Sequence, residues 1–121
     1  MDVRSYRDLK VWQMALDLAE MIYSVTSTFP KAEVFGLTSQ VQRAAVSVPS
    51  NIAEGHARDS TKEFLRFISI AQGSLAELET QLLLACRLRN LDEQKLATLT
   101  SQTNEIGRML RGLQKSLQQN L

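Results

Sequence analysis

Few residues of this chain are of a type and spacing that could do chemistry. The single histidine, His56, stands between Glu54 and Asp59 in the stretch SNIAEGHARDS. An imidazole flanked by two carboxylates invites a metal site or a general base. A metal site needs more ligands at turn or helical spacing, and neither a second histidine nor a nearby thiolate is present. The one cysteine, Cys86, falls on the core side of its helical stretch and reads as an inert buried thiol. Ser74, Glu77 and Glu79 are close in sequence, and Glu54 or Glu77 could serve a hydrolase. Nothing in the sequence supplies the nucleophile–base pairing that such chemistry requires. Glycine-rich phosphate loops, nucleophile elbows and Walker-type signatures are also missing. The expectation is a protein that is not an enzyme and uses no metal or cofactor.

Charge offers a second kind of chemistry. Viewed down a helix, Arg108, Arg111 and Lys115 fall within about 60° of one another. Ile106, Leu110, Leu113 and Leu117 lie opposite. Ser101 and Asn104 continue this ridge, and Glu105 flanks it. Multiplied by an oligomer, three aligned cations could track the phosphates of RNA or DNA without reading sequence. The same pattern also suits a solvated helix face, with cations favoured near the C-terminal dipole. Net charge is +1, from 14 basic and 13 acidic residues, which excludes a surface built throughout to coat nucleic acid.

The elements that must position these residues are helices. Apolar residues return every three or four positions, and no period-2 run occurs. The first helix is expected from about Leu9 to Phe29, stopped by Pro30. The second is expected from Gly36 to Gly55, with Gly55 as a left-handed C-terminal cap. The third starts at a capping box, with Ser60 as N-cap and Glu63 reaching back, and runs to about Arg89. The fourth starts at Asp92, with Leu91 and Leu96 as a hydrophobic staple. Regular stripes (Phe64, Ile68, Ala71, Leu75, Leu78, Leu82, then Leu96, Leu99, Thr103, Ile106, Leu110) suit shallow antiparallel packing. Short connections make sequence neighbours antiparallel. The fold class expected is all-α: one domain over residues 1–121, an up-down antiparallel four-helix bundle.

A second apolar surface sets this chain apart. In the second helix Leu37, Val41, Ala44, Ala45, Val48 and Ile52 form one face, and Val46, Pro49 and Ala53 widen it to roughly 200°. The first helix carries an extra stripe through Trp12, Leu16 and Ala19. In the third, Ile70, Leu84 and Leu88 lie away from the main seam. Aligned apolar positions on three helices point to self-association with closed symmetry. Pro49 leaves the Ala45 carbonyl without its usual amide partner, so a bend is expected, with Ser47, Ser50 and Asn51 able to bond freed backbone groups. That cluster reads as a packing device rather than a binding notch. A lone cysteine fits a reducing compartment. With no apolar run of about 18 residues and no signal-peptide core, the expectation is a cytoplasmic protein.

Four segments together resemble a known family: YRDLKVW, RAAVSVPSNIAEGHAR, KEFLRFISIAQGSLAELETQL and a polar fourth helix. They look like the small four-helix-bundle proteins encoded in 23S rRNA intervening sequences, and the likeness extends from about residue 5 to 117. Its core is Ser47, Pro49, Asn51, Glu54 and Gly55, followed by Glu63, Ser74, Glu77 and Glu79. The resemblance implies a bacterial protein and a homopentameric ring around a central pore. A related branch serves as the accessory protein of diversity-generating retroelements, where a basic pentamer binds a reverse transcriptase and nucleic acid. The functional expectation is a homo-oligomeric scaffold or weak RNA- or DNA-associated module. The competing expectation is a pure protein–protein scaffold with an unidentified partner.

Overall fold

A computed structural model describes residues 5–121; residues 1–4 of the expected domain lie outside the described residues. Four α-helices account for most of it: α1 Lys10–Thr26, α2 Leu37–His56, α3 Thr61–Arg87 and α4 Glu93–Gln118. Short 3-10 turns at Tyr6–Asp8 and Lys31–Glu33 precede α1 and α2. None of the described helices is long and apolar enough to cross a membrane.

Each helix packs against its sequence neighbour, and α1 also packs against α4. The diagonal pairs α1–α3 and α2–α4 do not bring their described backbones within 8 Å. The section is therefore a square with the core at its centre. Cross-helix contacts show the directions. Gln42 on α2 donates to the Thr26 hydroxyl on α1 at 2.9 Å. Ser47 on α2 meets Ser74 on α3 at 2.9 Å, and Gln72 on α3 donates to Gln114 on α4 at 3.3 Å. Early α1 (Met14, Asp17) borders Gln102 and Glu105, whereas late α1 (Met21, Val25) borders Thr98 and Leu99. All four pairings run antiparallel, as in an up-down bundle.

The apolar stripes build the core as their spacing requires. Leu18, Ile22, Val41, Val48, Ile52, Ile68, Leu78, Leu82, Leu99, Ile106 and Leu110 are sealed from solvent. Thr103, in the same rhythm on α4, is also sealed, its hydroxyl bonded to the Thr100 carbonyl at 3.0 Å. α2 runs unbroken through Pro49, which is itself buried.

Helix ends depart from expectation in instructive ways. α1 stops at Thr26, short of Phe29. The hydroxyls of Thr26, Ser27 and Thr28 bond back to the carbonyls of Ile22, Ser24 and Val25, competing with the helical ladder. Gly55 is no left-handed cap, because no described glycine has positive φ and α2 continues to His56. Its role is spatial: a Cβ there would stand 2.5 Å from the Phe67 Cβ and 3.0 Å from Phe64 Cδ1. The missing side chain lets α2 and α3 approach closely. The left-handed residue is instead Arg89, at φ 65°. The Asn90 amide bonds to the Ala85 carbonyl and the Arg89 amide to that of Cys86, at 2.9 and 3.0 Å. That is a Schellman turn ending α3, with arginine where glycine is usual. Cys86 sits on the last turn of α3 and is half-buried, so it is not the core thiol expected from its wheel position.

Candidate nucleic-acid interface

Arg108, Arg111 and Lys115 all lie exposed on the second half of α4, one to two turns apart, because the opposite face carries Ile106 and Leu110 into the core. The bundle also brings carboxylates to this surface. Arg108 is ion-paired with Glu105, one turn earlier, and shares a groove of about 340 Å³ with Asp17 of α1. Arg111 folds over Gly107 and opens into a groove of about 450 Å³ between α3 and α4, where Glu79 also stands. Lys115 occupies the last turn, where a cation complements the helix dipole. Of the three, Arg108 alone has a carboxylate within 4.0 Å among the described residues. The ridge is thus basic, with one of its three cations compensated by an ion pair.

The residues that carry the family likeness divide into a packing group and dispersed carboxylates. Asn51 donates to the Ser47 carbonyl at 2.7 Å and to its hydroxyl at 2.9 Å, and that hydroxyl meets Ser74. The amide therefore doubles up on the Ser47 carbonyl and does not rescue the one at Ala45 freed by Pro49. With buried Pro49 and the close approach at Gly55, this half-buried network pins α2 to α3. The carboxylates go elsewhere. Glu54 pairs with Arg58 at 3.1 Å on the surface. Glu63 receives the Ser60 cap through its amide at 3.2 Å, but its side chain turns to Arg66 at 3.0 Å and does not close the expected capping box. The Arg66 hydrogen bond holds the Glu63 carboxyl below the usual glutamate value, while the same bond raises Arg66. Glu77 stands on the rim of an α2–α3 cleft with Gln40, Arg43 and Gln81, and Glu79 is on the far side of α3. These acids converge on no shared centre.

His56 stacks edge-on against Phe64, with ring centroids 5.6 Å apart. Arg58 and Arg66 both lie over the Phe67 ring, at 5.0 and 4.7 Å from its centroid. Among the described residues, no three His, Cys, Asp or Glu side chains are grouped to hold a metal.

Sequence reasoning missed a second basic cluster. Arg87, Arg89 and Lys95 border a groove of about 540 Å³ at the α3–α4 turn, together with Asn90 and Thr28 from the end of α1. The signal was present in CRLRNLDEQK, but its cations lie on the end of one helix, in the turn and on the start of the next, so no single wheel projection aligns them.

The 23S rRNA-intervening sequence protein family model matches residues 7–112. No curated protein matches the chain. Among solved structures, one protein of unknown function from the S23 ribosomal protein family, of Bacteroides thetaiotaomicron VPI-5482, superimposes with a TM-score of 0.78. It is 23% identical, the match covering 87% of this chain and 98% of that one, and at that identity the likeness speaks for the fold. With the antiparallel four-helix square and a match over most of its length, the chain belongs to the 23S rRNA-intervening sequence protein family.

Proposed function

We propose that this protein is a non-enzymatic building block that closes into a ring of identical copies, five as the resemblance implies. The ring serves as a scaffold that associates weakly and without sequence preference with RNA or DNA. One observation carries the ring: two exposed apolar strips lie on adjacent sides of the square. Leu16 and Tyr23 of α1, with Val46 of α2, are exposed, and their helical phases put them on the outer α1–α2 side. Ile70, Leu84 and Leu88 are exposed, and their phases put them on the outer α2–α3 side, near Ser74 and Gln81. Adjacent sides of a square face about 90° apart, and closed rings joined head-to-tail need about 90° for four copies or about 108° for five. Dispersal of the candidate carboxylates supports a role without catalysis, and exposed Arg108, Arg111 and Lys115 support contact with phosphates.

The test is the native mass at micromolar protomer concentration, for the wild type and for a Leu84→Lys, Leu88→Lys variant. A multiple of the 13.6 kDa protomer, reduced to one protomer with helicity retained in the variant, is expected. A wild-type mass of one protomer refutes the ring. An oligomer that binds no RNA or DNA even at low salt is the protein scaffold instead.

A further inference from the structure

The groove at the α3–α4 turn gathers cations from two helices and from the turn between them. Its three cations, Arg87, Arg89 and Lys95, have no carboxylate within 4.0 Å among the described residues; the same holds for Arg111 and Lys115 on the α4 ridge, whereas Arg108 is paired. Their side chains make no hydrogen bond among those residues, and neither does the half-buried side-chain amide of Asn90. Donors without a partner among the described residues thus border an open groove of about 540 Å³. Two carboxylates share the rim. Asp92 is committed to the Lys95 backbone amide at 2.7 Å as the cap of α4, while Glu93 faces solvent in the first turn.

Arg89 adds a separate reason. It holds φ 65° in a Schellman turn, a conformation that costs a side chain free energy and that glycine adopts at little cost. A guanidinium at that position presents a planar fork suited to two phosphate oxygens. Leu91, buried beneath the turn, and the two turn hydrogen bonds hold the loop that carries it.

We propose that this groove is a phosphate-binding site, in which Arg87, Arg89 and Lys95 hold a backbone phosphate of single-stranded nucleic acid and Asn90 donates beside them. The choice of ligand rests on the nucleic-acid reading above; the site does not. Cyclic symmetry would put every copy of the groove on one rim of the ring, so that a single strand could engage several at once.

The experiment titrates inorganic phosphate and, separately, a fluorescent oligouridylate into full-length wild type, Arg89→Gly, Lys95→Gln and the Arg108, Arg111, Lys115→Gln triple variant. Amide resonances of residues 87–95 report the phosphate, and anisotropy at two salt concentrations reports the oligonucleotide. Arg89→Gly is chosen because it relieves the left-handed backbone. It is expected to raise Tm by a few degrees while weakening oligouridylate about tenfold and lowering the salt slope by about 0.7. Lys95→Gln should weaken binding similarly without the rise in Tm. Phosphate binding without oligouridylate binding supports the site, makes its ligand a free phosphorylated molecule and overturns the nucleic-acid reading. Wild-type affinity for both ligands in Arg89→Gly and Lys95→Gln, with loss confined to the triple variant, overturns the site and leaves the α4 ridge. Failure of both ligands to bind wild type overturns it outright.

Discussion

The close approach at Gly55 makes a quantitative demand. Carbon atoms in contact settle about 3.5–4.0 Å apart, so a Cβ 2.5 Å from that of Phe67 requires an opening of about 1 Å. The obstructing atom is next to the α3 backbone, so a side-chain rotation cannot clear it and the two helices must move apart. Overpacking of this kind costs about 1–3 kcal/mol, and the rigid contact puts Gly55→Ala in the upper part of that range. Alanine returns up to about 1 kcal/mol of helix propensity, leaving a net loss of about 1–2 kcal/mol. Gly73 and Gly112, also inside helices, have nothing within 4 Å of an added Cβ. Gly73→Ala and Gly112→Ala should therefore stabilise by up to about 1 kcal/mol each. Urea unfolding followed by helical circular dichroism, at one fixed protomer concentration, isolates the packing cost as the difference between variants. Were Gly55→Ala to unfold at the same urea concentration as the other two or a higher one, the close-approach argument would be refuted.

Asn51→Ala should lower stability by about 1–2 kcal/mol, because it removes two hydrogen bonds to Ser47 at a half-buried seam. The same urea assay checks this, and Ser50→Ala, exposed one residue away, should change it by less than about 0.5 kcal/mol. The lowered Glu63 value has a definite sign: its pairing with Arg66 supports the fold above the carboxyl's unfolded value and is lost as pH falls through the folded one. Wild type should therefore lose its Tm advantage over Glu63→Gln on acidification below the usual glutamate value of 4.5, and a pH-independent difference between the two Tm curves would rule this out.

Much of the fold was legible because helical bundles declare themselves locally. The stripes through Ile68 to Leu82 and Leu99 to Leu110 read directly from spacing, as did the caps at Ser60 and Asp92. Gly55 was misread because the pattern of a glycine at a helix end is the same whether it turns the chain or admits a neighbour, and only the position of Phe67 decides. Cys86 points in the core direction on a wheel but lies on the last turn of α3, where neighbouring helices cover less of it. Glu63 had two partners within reach, the Ser60 amide and Arg66, and the charged one prevailed. The candidate interface was half legible: periodicity aligned Arg108, Arg111 and Lys115, and the i,i+3 pairing with Glu105 was there to read. The approach of Asp17 and Glu79 depends on which helices share an edge, and the unpaired charges at the α3–α4 turn depend on a loop geometry that periodicity does not describe.

The square arrangement also orders events in time. Pairing of α2 with α3 closes across residues 57–60 and that of α3 with α4 across 88–92, so both forfeit little chain entropy, whereas α1 meets α4 only after all of α2 and α3 intervene. Contacts of small sequence separation form early and set the folding rate. The α2–α3 hairpin, fastened in addition by Gly55 against Phe67 and by Ser47 with Ser74 and Asn51, is the expected nucleus, and damage there should slow folding. Damage along the α1–α4 edge, the pairing of largest sequence separation, should leave the folding rate nearly untouched and shorten the lifetime of the folded chain.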